Sequence, residues 1–138
     1  AVRSAGGAEG TVGGDGAAWR TVSSAAQLRA GDVVLLLGTG EAALDAASLA
    51  GSEYLELVHG TVAGRPRIAM DLEKAVQSTC RRAIRESVLS SAHDCSDGGL
   101  AVALAECCIA GAIGFRGAFA VAGRWDALLF GEEQYQKR

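Results

Sequence analysis

The sequence predicts an α/β or α+β domain around one sheet, because short apolar runs of strand length alternate with helical patterns and both end in small-residue turns. The chain has 138 residues, which suits one domain rather than two. Apolar residues make up 49% of the chain and 19 residues are glycine. We therefore expect helices to pack closely on the sheet.

Four segments are candidate strands. Val33–Leu37 lies between two glycine-containing turns, which is typical of a strand buried on both faces. Ser91–Asp94 is a short second candidate, and Phe115–Val121 alternates loosely enough to be a third. Ala127–Phe130 looks like part of an interrupted final strand, because a polar segment follows it directly.

Three further segments have helical patterns. Glu41–Ala50 is either a short Ala-rich helix or a loop. Ser52 is a candidate N-cap for a helix over Glu53–Val58, which we expect to stop near Gly60. A longer helix begins after Met70 with Asp71 as its expected N-cap, and its cationic side faces solvent. The apolar face of that helix comprises Leu72, Ala75, Val76, Thr79, Cys80, Ala83, Ile84 and Val88.

The run Leu100–Ala110 predicts a central helix, because it is apolar nearly all round. Glu106 is its single charged residue. A buried carboxylate must find a partner, so we expect an Arg or His from another element beside it rather than a catalytic role.

Charge and composition exclude several classes of function. The chain carries 13 Lys and Arg against 16 Asp and Glu, so no large basic surface for nucleic acid is expected. No apolar run approaches the length of about 20 residues that spans a membrane, and no export signal is visible, so we expect a cytoplasmic location. The four cysteines, which we expect to be reduced and unable to form a zinc site, are Cys80, Cys95, Cys107 and Cys108.

The segment 93–100 holds the residues best suited to chemistry. Its glycines, Gly98 and Gly99, allow close approach of backbone or ligand before a helix whose N–H groups favour a phosphate. Asp94 is a candidate ligand for a divalent cation, and Ser96 and Asp97 are candidate phosphate or nucleotide contacts. The alternative is structural: Ser96 or Asp97 caps the helix and the neighbouring His93 forms local hydrogen bonds.

A second polar cluster follows the last apolar run. Glu132, Glu133 and Gln134 stand where α/β proteins tend to place ligand contacts. The alternative is an exposed and frayed chain end. The common sequence patterns of serine hydrolases, zinc proteases and P-loop proteins do not occur.

Segment 91–106, SAHDCSDGGLAVALAE, resembles the signature of the phosphoribosylformylglycinamidine synthase family, in its large synthetase subunit. GSEYL at 51–55, VHG at 58–60 with GRP at 64–66, and LFGE at 129–132 follow the order and approximate spacing of that family. The resemblance implies a mixed sheet covered by helices, as in the C-terminal domain of aminoimidazole ribonucleotide synthetase. It further implies that residues 1–40 are a flexible lead-in and the tail of a preceding domain, ending in a buried strand. Residues 41–138 would then be an α/β domain that is incomplete at its end.

The resemblance also implies an activity. Family members use ATP and magnesium to activate the formamide oxygen of formylglycinamide ribonucleotide as a phosphate, which ammonia from a glutaminase subunit displaces. By pseudo-symmetry between the two halves of such proteins, Asp94 would hold magnesium and Glu132, Glu133 and Gln134 would bind substrate. Here Glu133 replaces the family's serine, and the Arg-containing strand that follows and the upstream ATP-contacting segments are absent. We therefore expect no turnover from these residues alone.

The expected partners are the remaining domains of the synthetase chain and the glutaminase subunit, with a homo-oligomer as a further possibility and neither nucleic acid nor a membrane. Two other functions stay open. One is a non-catalytic nucleotide-binding or interaction module that keeps the fold. The other is a superfamily relative such as a hydrogenase-maturation, selenophosphate or thiamine-phosphate kinase domain, which segments 52–55 and 59–60 disfavour.

Overall fold

The computed structural model describes residues 30–38, 46–66, 68–89, 91–118 and 123–132. Its elements are a 3₁₀ helix over Ala46–Leu49 and four α-helices, α1 (Glu53–His59), α2 (Met70–Arg85), α3 (Gly99–Gly111) and α4 (Trp125–Phe130). No helix in these ranges is long and apolar enough to cross a membrane.

The expected mixed sheet is the main correction. Within the described ranges no residues form a strand, and the regular structure is helical. Val33, Val34, Leu35 and Leu36 are between 37% and 61% exposed, so this run is not a strand buried on both faces. Strands gain their stability from ladder partners on a shared sheet, and the described part of the chain gives this run only an isolated bridge at Val34.

The other candidate strands also differ from the prediction. Residues 91–94 and 115–118 have no regular structure beyond an isolated bridge at Ser91, and residues 119–121 lie outside the described residues. Ala127–Phe130 belongs to α4, so its assignment as a strand is wrong. An apolar run of four residues fits either a strand or one buried helical turn.

Helix α1 confirms the prediction from its capping residues. The Ser52 hydroxyl accepts a hydrogen bond from the Leu55 N–H at 3.4 Å and donates one to the Leu49 carbonyl at 2.7 Å. Gly60 ends the helix in the left-handed conformation, at φ 61°, which glycine adopts without steric cost. The 3₁₀ helix falls within Glu41–Ala50, where residues 41–45 lie outside the described residues.

Helix α2 is amphipathic as predicted, but it starts earlier. Ala69, not Asp71, is its N-cap, and no side chain caps it. Asp71 instead lies in the first turn, where a negative charge is favourable. The half-buried stripe consists of Leu72, Val76, Cys80, Ala83 and Ile84.

Helix α3 is less central than expected. Its buried residues, Leu100, Ala103 and Cys107, lie on one face together with Gly99, whereas Ile109 is 80% exposed. The described residues therefore cover only part of the apolar surface of this helix.

The packed part of the molecule is built on α4, which contacts both α3 and the 3₁₀ helix. A Cβ added to Gly99 would lie 2.8 Å from the Leu129 carbonyl oxygen, and one added to Gly131 would lie 2.7 Å from the Ser48 carbonyl oxygen. Phe130 stacks on Tyr54 of α1 with ring centroids 4.7 Å apart. These contacts bring the residues after α4 beside the starts of α1 and α3.

Candidate functional site

A cavity lies beside segment 93–100, which the sequence singles out. It has a volume of about 450 Å³ and is lined by residues 34–37, one side of α2, residues 91–96 and the buried face of α3. Most of this lining is apolar. Its polar members are Glu73, Gln77, Arg81, Ser91, His93, Asp94, Ser96 and Glu132.

Asp94 is exposed at the edge of this cavity, with 78% of its side chain accessible. The Ser96 hydroxyl donates a hydrogen bond to Asp94 Oδ2. That hydrogen bond holds the pKa of the Asp94 carboxyl below its ordinary value of 3.8, against an opposing effect of partial burial. Asp94 is therefore a carboxylate at neutral pH, as a cation ligand must be.

His93 connects the acidic segment, residues 93–98, to α3. Its Nδ1 lies 2.6 Å from the Asp94 carbonyl oxygen, and its Nε2 lies 3.1 Å from Glu106 Oε2. The expected partner for Glu106 is thus confirmed as a histidine from another segment. The Glu106 side chain is 55% exposed, however, so the pair lies at the surface rather than in a core.

The two glycines form the start of α3. Gly98 is the N-cap, and both Gly98 and Gly99 have φ near +76°. The N-cap is a glycine without a side chain, and neither Ser96 nor Asp97 caps this helix, so the alternative in which one of them is the cap is wrong. Asp97 is exposed. Ser96 is engaged with Asp94 instead.

Glu132 joins the two polar clusters that the sequence places far apart. Its Oε1 accepts hydrogen bonds from the Gly98 N–H at 3.0 Å and from the Glu53 N–H at 2.8 Å. The sequence indicates a polar contact here but not its partners, because both donors are backbone groups. Glu133 and Gln134 lie outside the described residues.

Ser91 is a residue that sequence reasoning missed. It lines the cavity, it is 1% exposed, and its hydroxyl has no hydrogen-bond partner among the described residues. A serine before Ala92, His93 and Asp94 carries no sequence signal for such burial.

The cysteines are reduced thiols as expected. Cys95 lines the cavity, and burial raises its pKa to about 11. Burial also raises the pKa of Cys107. Protonated thiols are poor nucleophiles and poor metal ligands, so these two residues act as small apolar groups.

The donor set around Asp94 suits one type of metal site. Within the described ranges, no three His, Cys, Asp or Glu side chains are grouped to hold a metal ion. Mg²⁺ with a phosphorylated ligand needs fewer protein groups, because it is held by one or two carboxylates, water and phosphate oxygens. The exposed Asp94 carboxylate fits that arrangement.

Comparison with protein families gives one decisive match. Residues 29–135 match the family described as AIR synthase related protein, C-terminal domain. The chain belongs to this family. The match covers the cavity, residues 93–98 and Glu132 together, and it confirms the C-terminal AIR-synthase-like domain that the resemblance implies.

Members of this family occur in larger proteins that resemble the chain closely. A phosphoribosylformylglycinamidine synthase subunit PurL from Anaeromyxobacter sp. (strain Fw109-5) is 53% identical over 116 residues, covering 75% of this chain and 14% of that protein. The subunit of the same name from Prochlorococcus marinus (strain MIT 9303) is 50% identical over 117 residues, covering 80% and 15%. The chain thus spans about one seventh of the length of these relatives. No solved structure matches it.

Proposed function

We propose that this chain is a synthetase-like domain of a phosphoribosylformylglycinamidine synthase and takes part in the ATP-dependent amidation of formylglycinamide ribonucleotide in purine synthesis. The supporting observation is the 53% identity over 116 residues to a protein named as a subunit of that enzyme. The family match over residues 29–135 adds to it, because that range includes residues 91–96 and Glu132, which line the cavity.

The roles of individual residues follow from their chemistry. Asp94 would hold Mg²⁺ through its exposed carboxylate, and the metal would neutralise phosphate charge. The Ser96 hydrogen bond holds the pKa of that carboxyl below its ordinary value. Asp97, Gly98 and Gly99 border the phosphate side of the site, and Glu133 and Gln134 are proposed substrate contacts on the strength of the family resemblance.

The reaction requires more than this chain. Since the chain spans about one seventh of its relatives' length, the rest of the synthetase would supply the other ATP and substrate contacts. A glutaminase subunit would supply ammonia. The isolated 138 residues are therefore expected to be inactive, and the reduced thiols support a cytoplasmic setting.

A chimera tests the proposal. In the Anaeromyxobacter subunit, the stretch that aligns with residues 29–135 is replaced by those residues, and amidation is measured with ATP, Mg²⁺ and ammonia. We expect ammonia-dependent activity within about tenfold of the parent, a loss of no more than about 1.4 kcal/mol in transition-state stabilisation. A chimera that folds and binds its partner domains but shows no activity would contradict the proposal.

The competing function is a nucleotide-binding or interaction module without catalysis. The observation that favours it is that Glu132, an expected substrate contact, is bonded to two backbone amides of the protein. Calorimetry of the 138-residue chain with ATP and Mg²⁺ separates the possibilities at the level of binding. Heat that disappears in Asp94→Ala indicates a retained metal-nucleotide site, whereas no heat from the native chain indicates that the remaining domains are needed.

A further inference from the structure

Glu132 lies where three segments of the chain meet. It follows α4, and its Oε1 accepts one hydrogen bond from the first residue of α1, Glu53, at 2.8 Å. The same oxygen accepts a second from Gly98, the N-cap of α3, at 3.0 Å. These donors are 79 and 34 residues away in sequence. One side-chain oxygen therefore joins segments that no strand ladder connects in the described part of the chain.

The carboxylate is suited to this position by its charge. The first N–H groups of a helix lack partners within the helix and carry partial positive charge. Ser52 accepts a hydrogen bond from the Leu55 N–H of α1, and the N-cap of α3, Gly98, has no side chain of its own to act as a cap. Glu132 supplies the acceptor for one remaining N–H of α1 and for the N-cap N–H of α3, through charge-assisted hydrogen bonds.

The backbone around Glu132 is held by close contacts. A Cβ on Gly131 would lie 2.5 Å from the Ala127 carbonyl oxygen and 2.7 Å from that of Ser48. A Cβ on Gly99 would lie 2.8 Å from Phe130 Cα. These contacts hold the backbone that precedes Glu132 in place. The Glu132 side chain therefore reaches both donors from a backbone position that is already fixed.

We propose that Glu132 is a positioning residue, an internal anion that fixes the turn 94–98 against the start of α1. Its Oε1 is engaged by two amides of the protein, so the residue acts through Gly98 on the turn that carries Asp94 and Ser96. This role differs from the substrate contact that the family resemblance implies for Glu132. It does not rest on the proposed function, because it requires neither nucleotide nor turnover.

Amide hydrogen exchange measured by NMR on the 138-residue chain tests the inference. In Glu132→Ala we expect exchange at the Glu53 and Gly98 amides to accelerate about tenfold or more, since two charge-assisted hydrogen bonds are lost. Amides in the middle of α2 should keep their rates. Glu56→Ala, which removes an exposed carboxylate from α1, should leave both amides protected.

Chemical rescue separates an internal anion from a residue that merely fills space. Added sodium acetate should restore protection of both amides in Glu132→Ala, whereas sodium chloride at equal ionic strength should not. Acetate should have no such effect on the native chain. Failure of acetate to restore protection, or unchanged exchange in Glu132→Ala, would overturn the proposal.

A second variant serves if Glu132→Ala does not fold. Glu132→Gln keeps an oxygen acceptor but removes the charge, so the amide proton resonances of Glu53 and Gly98 should both move upfield. Resonances that stay in place in this variant would also overturn the proposal.

Discussion

At the scale of single residues, the acidic segment depends on backbone geometry more than on side-chain capping. Gly98 and Gly99 both adopt positive φ, and Gly99 lies against the backbone of Leu129 and Phe130. The glycine pair therefore allows α3 to start directly against the end of α4. Close approach is what the sequence predicts for this pair, and in the structure Gly99 makes that approach to backbone.

Gly99→Ala should destabilise the fold strongly. The new Cβ would lie 2.8 Å from backbone atoms of Leu129 and Phe130, at φ +76°, so overpacking and left-handed strain add. We expect a loss of about 2–4 kcal/mol in the free energy of unfolding, measured by urea denaturation. Gly114→Ala is the matched control, since nothing lies within 4 Å of its added Cβ. An equal effect of the two substitutions would contradict the steric argument.

Ser96→Ala should raise the pKa of Asp94 toward its ordinary value of 3.8, because the Ser96 hydrogen bond is the main cause of the lowered pKa. A lowered pKa in the folded state contributes stability above pH 3.8 that is lost as the pH falls through the folded-state pKa. The substitution should therefore weaken the decrease in the free energy of unfolding as the pH falls below 3.8. The titration of the Asp94 carboxyl carbon by NMR measures the pKa, with Ser78→Ala as a control on α2. A midpoint that stays in place or falls in Ser96→Ala would contradict the assignment.

At the scale of elements, sequence patterns locate helices better than strands. Ser52 and Gly60 mark the ends of α1 because capping is local chemistry. The period of apolar residues likewise predicts α2. The run Val33–Leu37 has an equally clear pattern, but a strand depends on partners elsewhere in the chain. The pattern shows only that the run is apolar, and in the structure residues 34–37 line a cavity.

The sequence predicts which residues form the candidate site but not the hydrogen bonds between them. The sequence pointed to Asp94, Ser96 and Glu132, and all three line one cavity. The sequence did not reveal that Glu132 accepts hydrogen bonds from the backbone N–H groups of Glu53 and Gly98. Every residue except proline carries such a donor, so these donors leave no pattern in the sequence. The partner of Glu106 was predicted by type, since a carboxylate on an apolar helix needs one.

The link between residues 91–94 and α3 should show as an energetic coupling between His93 and Glu106. The two side chains are 25% and 55% exposed, so solvent screens the pair, and we expect a coupling of about 0.2–1 kcal/mol. A double-mutant cycle with His93→Gln and Glu106→Gln, analysed by urea denaturation, measures it. The control cycle pairs His93→Gln with Glu56→Gln and should be additive. A coupling that is zero at low salt would show that the contact does not stabilise the fold.

At the scale of the whole molecule, apolar surface is the dominant feature. The buried apolar residues of the described ranges are mainly small or lie near α3 and α4, whereas Val33–Leu36 and Ile109 are exposed. Exposed apolar patches of this kind mark sites of association.

Self-association of the isolated chain is the prediction that follows. Residues 33–36 are consecutive, apolar and at least 37% exposed, so burying them between two copies removes more apolar surface from water than burying a single side chain. We expect light scattering to show a mass that rises with protein concentration, and the double variant Val33→Lys, Leu36→Lys to shift the chain toward monomer. Leu57→Lys, on α1 and 79% exposed in the native chain, is the control and should leave the mass unchanged. A native chain that stays monomeric at high concentration, or equal effects of both variants, would show that residues 33–36 do not drive association.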